Sequence, residues 1–417
     1  MLHLFKKDIL IYFAGKMIPA VVNLALIVLA LRWLGKAEYG KYSLIFYVLM
    51  LLSTFGFGWI QQSILRYLSI YKKQKGLAII RFGMLTLISS LAGALIFLFL
   101  GPLYYKISIP ETLLFIGIII LYNFLALSMT VSQAGFKPLN YAITEGSYNI
   151  LMISTFAFLV LFVGEKTYMS LFLAMMLGLI ASVLLPFLFK FRNKHQWRWS
   201  DAYVNARFFK KMWSFGILLS IWLSVSYLFN IANRFFIKEY SGYADVGLFS
   251  SVYDLIFKIS GFVCMPVLLV YHPKITALWN EGKRNEALKE VNSALILELM
   301  VFAGVFVVFI FGRPFLFAKV LHITEPDLLW MSVMLIVSAF MWQAALLIHK
   351  ALELLLRLKE MIFSIVVALA VNIAGNVLLL PVYGYRAAAF TTLAGIFTYI
   401  VLVALQSRYY LRKENPK

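Results

Sequence analysis

The sequence contains one cysteine and few charged residues, and each scarcity excludes a class of protein. The lone Cys264 allows neither an intrachain disulfide nor a cysteine-rich metal cluster. Charged residues make up only 13% of the 417 residues, whereas 63% are hydrophobic, and the mean hydropathy is +0.88. Soluble domains do not have this balance, so the composition indicates a polytopic membrane protein.

Sequence signatures of several chemistries are also missing. The chain has no Gly-x4-Gly-Lys-Ser/Thr motif to hold nucleotide phosphates, so we expect no ATP hydrolysis. The five histidines are not spaced as metal ligands, and neither a metal nor another cofactor is expected. No loop is long enough for a glycosyltransferase or polymerase site. These features favour transport over enzymatic function.

Acids are scarce relative to bases, with 18 Asp and Glu against 38 Lys and Arg. With the N-terminus inside, the predicted cytoplasmic segments hold 26 of the bases and the opposite loops hold 10. This bias predicts that both termini are cytoplasmic. The net charge of +20 is then explained by loops that face anionic lipid, and nucleic acid is not an expected partner.

Apolar runs long enough to cross a bilayer recur along the whole chain. We predict an all-α protein of about twelve transmembrane helices, at about 9–33, 42–64, 79–103, 113–133, 147–164, 168–189, 213–236, 246–270, 291–312, 328–349, 361–381 and 387–407. Six helices per half start both halves on the same side, which predicts two parallel six-helix lobes. We place the lobes at 1–200 and 201–417, with a basic interfacial linker between them.

A short sequence echo supports this duplication. Residues 38–43 read Glu-Tyr-Gly-Lys-Tyr-Ser, and residues 245–250 read Asp-Val-Gly-Leu-Phe-Ser. An acid, a glycine, an aromatic residue and a serine therefore recur at the same spacing. Each half is predicted to open with a helix, this turn and a second helix.

Ionisable residues inside the predicted spans are the candidates for function. A charge there costs at least ~2.5–3.5 kcal/mol and needs a partner or water. Lys16, Arg234, Asp254 and Lys258 lie inside the first two predicted spans of the two halves, and Arg66 lies two residues past the second span. Four cations against one acid attract an anionic substrate, and arginine forks suit a diphosphate. We therefore expect these five residues to bind the substrate head group.

Structural roles are open for several of these side chains. Asp254 and Lys258 are spaced i, i+4 and can neutralise each other within one helix, so Asp254 is also expected to tune Lys258. Lys16 lies ~12 Å past Asp8 and can reach the cytoplasmic head groups.

Three further polar residues lie in the spans of the second half. Glu298 is a candidate for ion coupling, together with Asp254, or it packs against a polar neighbour. Asn372 and Asn376, at i, i+4, are predicted to form hydrogen bonds to another helix.

Three stretches resemble the Wzx-like polysaccharide-biosynthesis flippases of the MOP superfamily. The first is Trp-Leu-Gly-Lys-Ala-Glu-Tyr-Gly-Lys-Tyr-Ser at 33–43. The second joins Asn-Arg-Phe-Phe-Ile at 233–237 to the echo at 245–250, with Pro273 further on. The third, at 372–389, resembles the family's junction of the eleventh and twelfth helices. The resemblance implies two six-helix lobes, a central cationic cavity and alternating access.

The resemblance also implies a substrate, an oligosaccharide on a polyprenyl diphosphate that moves from the inner to the outer leaflet of a bacterial plasma membrane. Expected partners are this lipid, other membrane lipids, and a polysaccharide polymerase and glycosyltransferases. Many relatives have an acid before the arginine that ends the seventh helix, where this chain has Asn233. Ion coupling is therefore expected at Asp254 or Glu298 instead.

Two other functions are left open. A cation-coupled drug antiporter of the same superfamily predicts a carboxylate deep in the first helix of a lobe, where this chain has Lys16. A membrane enzyme acting on polyprenyl-linked sugars requires paired carboxylates, whereas Asp254 and Glu298 lie on different predicted helices.

Overall fold

A computed structural model describes residues 2–68, 75–105, 107–190, 204, 206–323, 325 and 328–414. Within these ranges every regular element is helical, and twelve of the helices are long, as predicted. The helices are α1 Leu2–Leu34, α2 Lys36–Tyr67, α3 Lys75–Tyr105, α4 Ile109–Ala134, α5 Pro138–Phe158, α6 Tyr168–Lys190, α7 Ala206–Ser241, α8 Tyr243–Asn280, α9 Arg284–Phe315, α10 Leu328–Ile348, the short α11 Lys350–Leu354, α12 Leu358–Tyr383 and α13 Ala387–Glu414.

Length and composition make most of these helices capable of crossing a membrane. Among the described residues, ten stretches satisfy both criteria, and the last of them, Leu358–Lys413, takes in both α12 and α13. The apolar helix Tyr168–Leu184 of α6 is somewhat shorter. The chain is therefore an all-helical, multi-pass membrane protein, and the predicted fold class is confirmed.

Nine of the predicted spans begin later in the sequence than the helices that contain them, and the difference is largest at α5. Helix α5 begins at Pro138 rather than near 147, because proline suits the first turn of a helix and polar residues continue it. It ends in a π-helical turn, Leu159–Val163, and Gly164 follows at φ +79°, a conformation that glycine adopts without strain. Helix α7 begins at Ala206 rather than 213. The length of an apolar run predicts the part of a helix that crosses the hydrocarbon, and it leaves out the polar first turns of that helix.

The α1–α2 and α7–α8 turns are each made by one glycine. Gly35 has φ +82° and Gly242 has φ +87°, values that strain a residue with a side chain. The two glycines are 207 residues apart, the same separation as Gly40 and Gly247 of the sequence echo. The duplication seen in the sequence therefore extends to the backbone of the turns.

The chain divides into two compact units that are each discontinuous in sequence. Unit 1 consists of Met1–Leu26 and Ile45–Tyr227, and unit 2 consists of Ile27–Leu44 and Leu228–Lys417. The predicted lobe boundary at residue 200 stays a prediction.

Unit 1 has a buried apolar core, to which α2, α3 and α7 contribute Ile60, Phe82 and Met212. Helices α2 and α7 pack with their backbones close together. A Cβ on Gly216 would lie 2.7 Å from the carbonyl carbon of Trp59 and would overlap its oxygen. Small residues permit such close approach between membrane helices.

Unit 2 contains the helices from α8 to α13. Val267, Ala294 and Leu347 of α8, α9 and α10 form a buried cluster. In α13, Gly395 lies so close to Phe229 of α7 that a Cβ would be 2.7 Å from its ring. These closely packed helices hold the polar groups of the candidate site.

Candidate functional site

Arg234, near the end of α7, is a charged residue with no exposed surface. Its Nη2 donates to Oδ1 of Asp254 at 2.6 Å, and its Nε donates to Oγ of Ser43 at 2.8 Å. Its Nη1 donates to the carbonyl oxygen of Asn230 at 3.0 Å. The hydroxyl of Tyr39 donates to Oδ2 of Asp254 at 3.1 Å. We call Tyr39, Ser43, Arg234 and Asp254 the Arg234 cluster.

The secondary structure explains how this cluster forms. Tyr39 and Ser43 are spaced i, i+4, so they lie on the same face of α2. The tight turn at Gly242 reverses the chain and brings α8 back beside α7, which places Arg234 next to Asp254 although 20 residues separate them. All four side chains belong to unit 2.

This arrangement bears on two expectations about the cluster. Arg234 was expected to bind a diphosphate, and in this structure its three donor nitrogens are engaged inside the protein. One role left open for Asp254 was to neutralise Lys258 within α8, whereas its close ion pair is with Arg234. Spacing along one helix shows only local neighbours, and the partner of Asp254 comes from the preceding helix. Buried charges require such complete hydrogen bonding, because desolvation of an ion pair is costly.

Lys258 differs sharply from Arg234. It lies one turn beyond Asp254 on the same face of α8, ~22 Å along the helix from Tyr243, and its side chain is exposed. No hydrogen bond or close ion pair joins its ammonium to another residue in the described part of the chain. An unpaired ammonium at this depth needs water around it. Its position therefore indicates a hydrated surface along this face of α8.

Arg66 and Lys16 belong to unit 1. Arg66, in the last turn of α2, is exposed, and its guanidinium carbon lies 4.1 Å from the centre of the Phe215 ring. This cation–π contact is compatible with an interfacial role, and it leaves hydrogen-bond donors of Arg66 facing solvent. The side chain of Lys16 lies outside the described residues, so its expected role stays a prediction.

Glu298, in α9, is a buried carboxylate. Only 4% of the residue is exposed, and neither carboxylate oxygen has a hydrogen-bond partner. Cys264 of α8 is near enough to interact with it electrostatically. The polar partner that the sequence left open for Glu298 is not found among the described residues. Burying a carboxylate without a donor is unfavourable, so Glu298 differs from Asp254, whose charge is compensated by Arg234.

A second polar cluster lies next to Arg234 in sequence. The amide oxygen of Asn233 accepts hydrogen bonds from Asn372 at 3.0 Å and from Asn376 at 2.8 Å, and its amide nitrogen donates to Thr392 at 2.8 Å. Thr391 donates to the amide oxygen of Asn376 at 2.6 Å. The two asparagines of α12 thus bond to other helices, as predicted. Both threonines were absent from the predicted polar residues, because a Thr-Thr pair within an apolar helix was the only indication of their role in the sequence.

Hydrogen bonds fix the last turns of α7 to α12 and α13 through the second polar cluster, which consists of Asn233, Asn372, Asn376, Thr391 and Thr392. All five residues are at most 1% exposed. Because Asn233 directly precedes Arg234, the cluster also sets the position of the guanidinium. The site therefore combines a rigid, neutralised layer around Arg234 with an exposed, unpaired cation at Lys258.

Comparison with known proteins agrees with this architecture. Residues 5–279 match the family described as polysaccharide biosynthesis protein. This chain belongs to that family. A search of curated proteins gives no match for this chain.

Solved structures with the same fold cover almost the whole chain. The lipid II flippase MurJ, in an inward closed conformation, has a TM-score of 0.74 at 15% identity, over 96% of this chain and 87% of that one. A MATE protein in complex with MaL6 has a TM-score of 0.69 at 16% identity, over 98% and 97%. A MOP superfamily transporter from Pyrococcus furiosus has a TM-score of 0.70 at 12% identity, over 98% and 97%. This chain thus shares the fold of these three proteins.

Proposed function

We propose that this protein moves a polyprenyl-diphosphate-linked oligosaccharide from the inner to the outer leaflet of a bacterial plasma membrane. It does so by alternating access, and it supplies a polysaccharide polymerase and glycosyltransferases that build a cell-surface polymer. Membership of a polysaccharide biosynthesis family supports the pathway. The fold shared with a lipid II flippase supports a lipid-linked substrate.

The observation that carries the proposal is the state of Lys258. Its exposed, unpaired ammonium on a membrane helix attracts a negative group and repels an organic cation. Asp254 does not offset this charge in full, because its closest ion pair is with Arg234 at 2.6 Å. In this proposal Lys258 receives the diphosphate, and Lys16 and the exposed Arg66 carry positive charge that attracts the same group.

Coupling to an ion gradient is proposed at Glu298 rather than at Asp254. The Asp254 carboxylate holds two hydrogen bonds from Arg234 and Tyr39 and would strand Arg234 if it took up a proton. Glu298 holds none, so taking up or losing a proton breaks no bond within the described part of the chain.

The proposal is tested by measuring lipid movement in liposomes that contain the purified protein. A polyprenyl-diphosphate oligosaccharide with a fluorescent sugar is placed in both leaflets, and an impermeant quencher reports the fraction that reaches the outside. We expect wild-type protein and Lys258→Arg to move the lipid, and Lys258→Ala to lose most of the rate. Lys283→Ala is the matched control, because Lys283 is an exposed lysine paired with Glu281 in the α8–α9 loop.

Competition separates this function from the alternatives. Inorganic diphosphate should slow the movement, and organic cations should not. Full movement of the lipid by Lys258→Ala would remove Lys258 from the mechanism. Inhibition by organic cations alone, with proton-driven cation uptake, would favour the drug antiporter.

A further inference from the structure

Two arginines at one end of unit 1 lie against aromatic rings of α7. The guanidinium carbon of Arg66, in the last turn of α2, is 4.1 Å from the centre of the Phe215 ring. That of Arg81, in α3, is 5.7 Å from the centre of the Phe208 ring. A ring face attracts a guanidinium but does not use the strong hydrogen bonds that its N–H groups can donate. These contacts therefore hold both cations in place and leave their donors for another partner.

Both arginines lack an acidic partner. No hydrogen bond or ion pair joins either guanidinium to another residue in the described part of the chain, and the Nε of Arg81 is buried. Residues 39–110, which include all of α3 and most of α2, contain no Asp or Glu, and neither do residues 202–238. A buried N–H group without a protein acceptor needs an acceptor from water or a ligand. This end of unit 1 is therefore positively charged and has a donor that the protein leaves unsatisfied.

Lys211 of α7 adds a third cation. Its Nζ is 4.8 Å from the centre of the Tyr67 ring, and Tyr67 follows Arg66 in sequence. Phe208, Lys211 and Phe215 are spaced i, i+3, i+7, so they lie on one face of α7. The two phenylalanines are about 10 Å apart along that helix. Three helices thus contribute to one group, which we call the basic–aromatic cluster: Arg66, Arg81, Phe208, Lys211 and Phe215.

Exposed aromatic residues place this cluster at the depth of the lipid head groups. Phe209 and Trp213, one turn apart on α7, stack with ring centres 5.7 Å apart, and they are 41% and 40% exposed. The buried Trp59 of α2 packs edge-on against both rings, at 5.8 Å and 5.1 Å between ring centres. Tryptophan gathers at membrane–water interfaces. The bias of the basic residues predicts that this interface is the cytoplasmic one.

We propose that the basic–aromatic cluster binds the phosphate of an anionic phospholipid from the cytoplasmic leaflet. Basic pockets between transmembrane helices on the cytoplasmic side suit such head groups. A guanidinium donates two parallel N–H bonds to a phosphate, and the ring contacts of Arg66 and Arg81 leave this possible. The exposed rings of Phe209 and Trp213 beside the cluster favour a lipid of the surrounding bilayer over a carrier lipid within a transport path. A head group bound here would link α2, α3 and α7.

The test measures lipid binding to the purified full-length protein by native mass spectrometry. Phosphatidylglycerol has a net negative head group, whereas phosphatidylcholine has the same phosphate and a compensating cation. We expect phosphatidylglycerol to bind about tenfold or more tightly than phosphatidylcholine, because the cluster supplies three cations and no acid. Arg66→Gln and Arg81→Gln should each weaken phosphatidylglycerol binding about fivefold to tenfold, because each removes one cation.

The variants separate this site from the proposed transport function and from folding defects. Arg81 has no part in the proposed transport, so its variant tests the phospholipid site alone. Arg66 is exposed, so Arg66→Gln keeps the test informative if Arg81→Gln fails to fold, which gel filtration shows. The matched control is Arg284→Gln, since Arg284 lies 5.0 Å from the centre of the Trp279 ring but has Glu281 and Glu286 close in sequence. This control should leave the affinity unchanged.

Equal affinity for the two phospholipids would overturn the proposed site, as would unchanged affinity in Arg66→Gln and Arg81→Gln. An equal loss in Arg284→Gln would overturn its assignment to the basic–aromatic cluster. A third lipid, polyprenyl diphosphate without a sugar, distinguishes the source of the phosphate. If it binds more tightly than phosphatidylglycerol and weakens in the same variants, the cluster binds the carrier and the phospholipid assignment is wrong. If phosphatidylglycerol binds as expected but wild-type liposomes do not move the lipid-linked sugar, the site stands and the proposed function is wrong.

Discussion

Loss of one partner of the Arg234–Asp254 pair should destabilise the protein more than loss of both. Asp254→Leu leaves the guanidinium of Arg234, which has no exposed surface, without its counter-charge. Breaking a buried ion pair on one side costs about 3–5 kcal/mol, because the remaining charge is stranded in a poorly solvated site.

The double variant Arg234→Met/Asp254→Leu removes that stranded charge. What remains is the loss of partners for the hydroxyls of Tyr39 and Ser43, at about 1 kcal/mol each. The double variant should therefore be more stable than Asp254→Leu alone by about 1–3 kcal/mol, the difference between these two costs. This inversion distinguishes a stranded charge from a general loss of packing.

Thermal unfolding of the purified protein in lipid nanodiscs measures the effect. Wild type, the two single variants and the double variant form a double-mutant cycle, in which the double variant should lose much less stability than the sum of the two single losses. The exposed pair Glu281 and Lys283 gives the control cycle, in which we expect no measurable coupling. A double variant less stable than Asp254→Leu would refute the stranded-charge explanation.

Two further predictions concern buried polar groups. Asn233→Leu should lower the free energy of unfolding by about 1–3 kcal/mol, because it removes the acceptor that the amides of Asn372 and Asn376 share. Denaturation in nanodiscs measures this change, and unchanged stability would contradict the bonding described. Glu298→Gln should raise the melting temperature at alkaline pH, because an amide replaces a carboxylate that has no donor. The matched control is Glu290→Gln, which loses an ion pair with Lys274. A lower melting temperature for Glu298→Gln would show that Glu298 has a hydrogen-bond partner.

The sequence predicted those features that depend on neighbouring residues. Apolar run length gave the helices, and the i, i+4 spacing of Asn372 and Asn376 gave their hydrogen bonding to another helix. The Arg234–Asp254 pair was missed because it depends on how α7 and α8 pack after the Gly242 turn. No periodicity within one helix contains that information. The exposure of Lys258 was likewise beyond sequence reasoning, since it depends on what covers its face of α8.

The glycines at the α2–α8 contact are duplicated in the two halves, whereas the charged residues near it are not. Gly40 of α2 and Gly247 of α8 are both required, because a Cβ on either would overlap a backbone oxygen of the other helix. The residues around Arg234 have no such counterparts in the first half. At the same 207-residue spacing, the counterpart of Arg234 is the apolar Ile27, and Ser250, the counterpart of Ser43, has no hydrogen-bond partner among the described residues.

Symmetry therefore explains where the helices cross but not which residues bind charge. A symmetric pair of arginines would place two like charges at one contact, with Asp254 available to neutralise only one of them. A single ion pair on the α7–α8 side avoids that repulsion and leaves α2 to approach with hydroxyls alone. Introducing arginine at Ile27, 2% exposed, should therefore destabilise the protein, because it buries a charge where an apolar side chain now lies.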